Sequence, residues 1–191
     1  MQNKIEDFCL EDLKNGKFLK PKLARFIQNG KAKAWELLHA HDSVAILIYD
    51  KDKDAFVLVE QFRPAVYMNN NHGLTIELCA GIVDKDLSLE EIAKEEVEEE
   101  CGYAVCVKTI EKITSFHSSV GFAGSKQVLY YVEVDSSMRV SEGGGIDDEQ
   151  IEVIFLPREE AKAFIFDENR ARTSGLMFAF MWWFETKSKK F

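Results

Sequence analysis

Residues 88–101 read SLEEIAKEEVEEEC, preceded by GIVDKDL at 81–87 and followed by Gly102 and Tyr103. Ser88 is a good helix N-cap, and Glu91 stands where a capping box needs it. Gly102 suits the position just past a helix end. The spacing therefore predicts a helix over 88–101. It carries seven glutamates: Glu90, Glu91, Glu95, Glu96, Glu98, Glu99 and Glu100. The bland reading of such a run is a solvated acidic face. Helical geometry tests that reading. At about 100° per residue from Ile92, the apolar residues Leu89, Ala93, Val97 and Cys101 fall at roughly 60°, 100°, 140° and 180°. The apolar arc covers about half the helix. Glu96 and Glu100 fall at roughly 40° and 80°, inside that arc. Glu99 lies just outside it, whereas Glu91, Glu95 and Glu98 point to the far side. Carboxylates on a core-facing stripe are costly unless something neutralises them. A hard divalent cation such as Mg²⁺ does so, and oxygen donors at i and i+4 suit it. Pairing with Arg or Lys is the other solution. The helix alone leaves both open.

Working outward, TIELC at 75–79 reads as a short strand and the Asn-rich 67–74 as a loop. SVAILIYD (43–50) and AFVLVEQF (55–62) read as strands joined by the charged turn KDKD. Arg63-Pro64 ends the second, because proline lacks a ladder donor. Farther upstream, strands at 23–27 and 34–37 flank Asn29-Gly30, a strong hairpin signal. Downstream, strands are predicted at 105–116, 127–134 and 151–157, and helices at 158–165 and 173–186. Between them SEGGGIDDEQ (141–150) is a Gly-rich acidic loop. Strands surround a central helix and helices close the chain, which points to an α/β sandwich with a mixed sheet.

The 191 residues fit one domain with a small extension, and 46% are apolar, enough for a substantial core. The formal net charge of −9 argues against a nucleic-acid surface, which needs a basic patch. The longest apolar stretch, 176–184, is too short to span a bilayer, so no membrane partner is expected. The first residues lack the apolar core of a signal peptide. Cys9, Cys79, Cys101 and Cys106 form neither a CxxC pair nor a disulfide framework, which predicts reduced thiols in a cytoplasmic protein.

Several side chains outside the helix are candidates. Arg63 suits a phosphate, since a guanidinium forks onto phosphate oxygens; a strand-end salt bridge is the alternative. Glu77 can orient Arg63 or a substrate hydroxyl, or be an ordinary edge-strand acid. Gly143-Gly144-Gly145 lack the lysine and following helix of a P-loop. Mobile glycines that let Asp147, Asp148, Glu149 or Glu152 swing over a site fit better. His117 beside Ser118 and Ser119 has no nucleophile-elbow motif. His39, His41 and His72 lack zinc-ligand spacing. The aromatic stripe Phe178, Phe180, Trp182, Trp183 and Phe184 reads as core.

The run GIVDKDLSLEEIAKEEVEEECGY, Gly81 to Tyr103, resembles the Nudix box G-x5-E-x7-R-E-U-x-E-E-x-G-U, where U is apolar. Gly81, Glu96, Val97, Glu99, Glu100, Gly102 and Tyr103 fall in register without a gap. Leu87 stands in place of the first glutamate and Glu95 in place of the arginine, two positions that in the family mostly brace the loop and helix. The segments QNGKAKAWELLHAHDSVAILIYD, VEQFRPAVY, IELCAG, HSSVGFAGSKQ and GGGIDDEQIEVIFLP resemble the branch that hydrolyses UDP-sugars, such as UDP-glucose, and ADP-ribose.

The resemblance implies a Nudix-type α/β/α sandwich at 41–191, with 1–40 an extension whose β-hairpin serves dimerisation. It implies Glu96, Glu100, Glu99 and the Ala80 carbonyl as ligands for Mg²⁺, with Mn²⁺ as the alternative ion. It places Trp35 and Glu36 where related enzymes stack and hydrogen-bond a base, with a buried interface tryptophan as the competing role. It places Glu149 at the catalytic-base position, with Glu152 as the alternative and Glu99 as a further catalytic carboxylate. The expected activity is hydrolysis of a nucleoside diphosphate sugar to a nucleoside monophosphate and a sugar phosphate, by a homodimer. An ADP-ribose pyrophosphatase and a non-catalytic nucleotide-sugar-binding module are the competing readings.

Overall fold

A computed structural model describes residues 5–14, 16, 17, 19–146 and 148–188. Asp147 therefore lies outside the described residues. The centre is a pair of apolar strands, β3 (Ser43–Asp50) and β4 (Ala55–Phe62). Their side chains alternate between two cores. Val44, Ile46, Ile48, Val57 and Val59 enter one core, under α2 (Leu89–Cys101). Ala45, Leu47, Tyr49, Phe56 and Leu58 enter the other. That second core is covered by the short α3 (Ala161–Ile165) and by α4 (Ser174–Thr186). Burial on both faces explains why these strands read as continuous apolar runs. On α4, Leu176, Ala179, Phe180 and Trp183 follow the i, i+3, i+4, i+7 pattern and are fully buried. The layers are thus helix, mixed sheet, helix, as expected.

The remaining strands are β5 (Leu74–Glu77), β6 (Cys79–Ile82), β7 (Glu111–His117), β8 (Lys126–Val134) and β9 (Ile151–Pro157). β3 pairs with β8 in parallel along its whole length. Its other edge is divided: Ile48–Asp50 pair with β4, while Ser43–Ile46 pair with β6. β4 departs from β3 after Val57 and pairs with β5 through residues 59–62, while β9 follows its far edge. The chain from 74 to 82 thus crosses the fork between β3 and β4. The box glycine and the candidate residues Arg63 and Glu77 are gathered around this fork.

Four local expectations are corrected. Residues 67–74 are not all loop: α1 spans Pro64–Asn70. Pro64 stops the strand, but it also occupies the first helical turn, where a missing N–H costs nothing. The strand at 75–79 is two strands on different partners, broken at Leu78. The segment 105–116 holds a 3₁₀ turn at 107–109 before β7 begins. The helix expected over 158–165 is only α3, after a turn at 158–160.

The N-terminal strands β1 (Lys20–Gln28) and β2 (Lys31–His39) form a separate antiparallel pair about Asn29-Gly30. Each strand is longer than expected. The pair exposes Leu23, Phe26, Ile27 and Trp35. Among the described residues no helix is long and apolar enough to cross a membrane.

Candidate active site

Arg63 follows β4 as the N-cap of α1 and faces Glu77 at the end of β5. Its Nε and Nη2 each donate to a different Glu77 oxygen at 2.8 Å. Thr75 Oγ1 donates to the same carboxylate at 2.5 Å. This fork-to-fork pair fixes the guanidinium plane. Glu77, and then the charges of Glu100 and Glu149, raise the Arg63 pKa further. The strand-end salt bridge is therefore present. Nη1 is not part of it, so a phosphate contact and the ion pair are compatible.

The helix α2 begins as expected. Glu91 N–H donates to Ser88 Oγ at 3.2 Å, and Ser88 N–H donates to Glu91 Oε2 at 2.9 Å. It ends at Gly102, whose φ of 75° is left-handed. Glu100 is 5% exposed, and its Oε2 accepts from Ala80 N–H at 2.9 Å. Burial pushes its pKa up to about 8, with Glu96 and Glu149 adding and the Ala80 N–H opposing. Glu96 is half-buried and is pushed up to about 7, by burial first and then by Glu99, with Lys85 opposing. A Cβ on Gly81 would lie 2.0 Å from Glu96 Oε1. Glycine there is what lets β6 and the helix close on the carboxylate.

Among the described residues Glu96 and Glu100 thus share a stripe without a salt-bridged cationic partner. Lys85 Nζ is bound to Glu95 at 2.7 Å, and Arg63 to Glu77. Among the described residues no three His, Cys, Asp or Glu side chains converge closely enough to hold a metal as they stand. The donor chemistry nevertheless fits a hard divalent cation: carboxylate oxygens, buried and mutually repelling, on adjacent turns. Glu99 is half-buried beside them. Ala80, in β6, contributes its N–H to Glu100 Oε2.

The glycine loop is tied down rather than loose at its start. Gly144 N–H donates to Glu100 O at 2.9 Å and Gly145 N–H to Glu99 O at 3.1 Å. These bonds satisfy the carbonyls orphaned at the helix end. Glu149 is exposed, and its Oε2 accepts from Ile146 N–H at 3.0 Å. Its charge adds to the raised pKa values of Glu96, Glu100 and Arg63. Glu152 sits inside β9, opposite Glu60. Both carboxylates line a cavity of about 780 Å³.

Trp35 and Glu36 are not brought to this cluster by the chain's own contacts. Trp35 Nε1 donates to Gly121 O at 2.8 Å, and Leu38 N–H donates to Phe122 O at 2.7 Å. Glu36 lines a separate groove with Lys22, Leu23, Leu38 and Phe122, which shares no residue with the cavity at Glu149. His117 Nδ1 lies 2.9 Å from Gly124 O, within its own loop. Sequence reasoning missed Lys85, Thr75 and Arg139. Lys85 lies in an aperiodic loop and Arg139 follows a 3₁₀ turn, so neither had a pattern to expose it.

Residues 39–175 match the NUDIX domain family. The chain belongs to the Nudix family. Two relatives are each named uridine diphosphate glucose pyrophosphatase NUDT14. The one from Bos taurus is 37% identical over 87% of this chain and 88% of its own. The one from Mus musculus is 35% identical over the same shares. The GDP-mannose pyrophosphatase of Pectobacterium atrosepticum is 39% identical over 69% of this chain and 67% of its own. In this Nudix chain the departures at Leu87 and Glu95 have a structural counterpart. A loop-to-helix ion pair braces this region: Lys85 Nζ of the loop lies 2.7 Å from Glu95 Oε2 of the helix.

Proposed function

We propose that this Nudix protein hydrolyses the diphosphate bond of a nucleoside diphosphate sugar, giving a nucleoside monophosphate and a sugar phosphate. The observation that carries the reading is the pair of core-facing carboxylates on the box helix, half-buried Glu96 and buried Glu100, whose pKa values are raised by burial and by repulsion from neighbouring carboxylates. The relatives named for UDP-glucose match more of this chain than the one named for GDP-mannose, which favours a UDP-sugar.

In this reading Glu96, Glu100, Glu99 and the Ala80 carbonyl hold a divalent ion, Mg²⁺ or alternatively Mn²⁺. Such an ion neutralises phosphate charge and lowers the pKa of bound water. Arg63, held by Glu77, presents its remaining donors to a phosphate oxygen and fixes the diphosphate in place. Glu149 accepts the proton of the attacking water. Carboxylates committed to a cation are poor proton acceptors, and Glu149 stands outside the buried pair. Glu152 is the alternative, but its place within β9 restricts its movement.

Assembly is part of the proposal. The exposed apolar side chains of β1–β2 are supplied with a partner if the protein is a homodimer, with Trp35 and Glu36 serving the partner's nucleobase. The four free cysteines suit a reducing, cytoplasmic setting. The test is product analysis with UDP-glucose and GDP-mannose, with Mg²⁺ and with a chelator. Nucleoside monophosphate and sugar phosphate should form only with Mg²⁺. Tight binding without cleavage would instead make the protein a nucleotide-sugar-binding module.

A further inference from the structure

The face of the sheet that carries Arg63 continues into the cavity. Alternate residues Val59 and Gln61 of β4 share one face, and Arg63 follows in extended backbone just past the strand end. The register of β9 sets Ile151 against Gln61 and Val153 against Val59, and Phe155 against Val57. Gln61, Ile151, Val153 and Phe155 line the cavity, so they floor it, while Arg139 and Glu142 through Gly144 line it from the loop side. Glu149 belongs to that lining and also acts on Arg63 and the box carboxylates. The cavity therefore lies beside the proposed cleavage site: Gly144, in its lining, donates its N–H to Glu100 O at 2.9 Å, and Gln61 stands two residues before Arg63. Its volume of about 780 Å³ is ample for a bound small-molecule group.

We propose that this cavity is the subsite for the glycosyl group of the nucleoside diphosphate sugar, a claim that rests on the diphosphatase reading above. Charge excludes a phosphate. Glu60, Glu142, Glu149 and Glu152 line the space against a single arginine, Arg139, whose Nη2 is already 3.2 Å from Glu142 Oε2. A neutral polyol is compatible with that lining, since carboxylates accept hydrogen bonds from hydroxyls. Polar capacity is also unspent. Among the described residues the side chains of Glu60, Gln61 and Gln150 make no hydrogen bond or ion pair within the protein, and Arg139 Nη1 is buried without a partner. A nucleobase fits less well. Phe155 is the one aromatic residue of the lining, and its ring is engaged by Lys53 at 4.5 Å and by Arg139 at 5.7 Å. Ile151 and Val153 supply an apolar strip for the C–H face of a pyranose.

The test compares UDP-glucose with uridine diphosphate methyl ester, which keeps the diphosphate and lacks the sugar. The variants are Val153→Phe, which fills the floor, and Glu60→Ala, which removes an acceptor; a melting curve of each checks folding. The ratio of kcat/KM for UDP-glucose to that for the methyl ester should exceed one in the wild type. It should fall by about tenfold or more in both variants, the size expected when a site loses a hydrogen bond to a substrate hydroxyl. A ratio within about twofold of the wild type in both folded variants would overturn the subsite. Absence of wild-type turnover of any nucleotide sugar would instead overturn the diphosphatase reading, and the subsite with it.

Discussion

Glu149 and Glu152 differ in a way that a substitution can read. Glu149 follows the glycines on an exposed loop, and its charge acts on the box and on Arg63; Glu152 is fixed in the β4–β9 ladder. Glu149→Gln is expected to lower kcat by about 10²–10⁴ with little change in KM, and Glu152→Gln by much less. Steady-state kinetics of the two variants checks the assignment, and the reverse ranking would move the base to Glu152. Glu96 and Glu100 carry a pH dependence. Their folded values, about 7 and about 8, lie above the ordinary carboxylate range. The metal-free folded protein thus holds protons that the unfolded chain has released. Stability is fullest below about pH 4.5 as far as these groups decide, and it is lost as pH rises through 7 and 8. The melting temperature of the metal-free protein should fall between pH 5.5 and 8.5, and Glu100→Gln should flatten that slope. An unchanged slope would mean that Glu100 is not the group responsible. The positions of these two residues were legible in the sequence because a helix converts spacing into direction. Lys85 was not, since its partner Glu95 is ten positions away across a turn.

Elements were legible where periodicity and capping agreed. The box helix has its cap, its capping box and its terminal glycine where Ser88, Glu91 and Gly102 put them. The central strands follow from apolar runs that only a doubly covered sheet accommodates. α1 was missed because Pro64 is both a strand stop and a helix start, and the residues after it lack an apolar stripe. The break at Leu78 was missed because strand partners are long-range properties that a nine-residue run does not encode. The close approach of β6 to α2 gives a prediction at this scale. Gly81→Ala places a methyl against Glu96 and should cost about 1–3 kcal/mol of stability, the usual range for overpacking. It should also cost activity out of proportion to that destabilisation, because the displaced group is a proposed ligand. Denaturant melts beside kinetics check it; full activity would show that Glu96 can move freely. The Lys85–Glu95 pair is exposed, so exchanging the two charges should change stability by less than about 1 kcal/mol.

The whole molecule joins a doubly covered sheet to a hairpin whose apolar side chains are open. The hairpin was legible from Asn29-Gly30; what covers it was not, because a second chain leaves no periodic mark on the first. Ile27 is 78% exposed and Phe26 41%, on a pair of strands tied to the body by the bonds from Trp35 and Leu38 to the 121–122 loop. If these side chains face a second copy, the protein should scatter light as a dimer at micromolar concentration, and Ile27→Glu should shift it toward monomer. A fully active monomer would contradict that arrangement. The central claim concerns the box helix: that Glu96 and Glu100 hold the ion on which cleavage depends. The most direct measurement is the rate of UDP-glucose cleavage against Mg²⁺ concentration for the wild type, Glu96→Gln and Glu100→Gln, with folding of each confirmed by its melting curve. The expected result is Mg²⁺-dependent release of UMP and glucose 1-phosphate by the wild type, and loss of that release in both folded variants. Undiminished, equally Mg²⁺-dependent cleavage by either variant would contradict it.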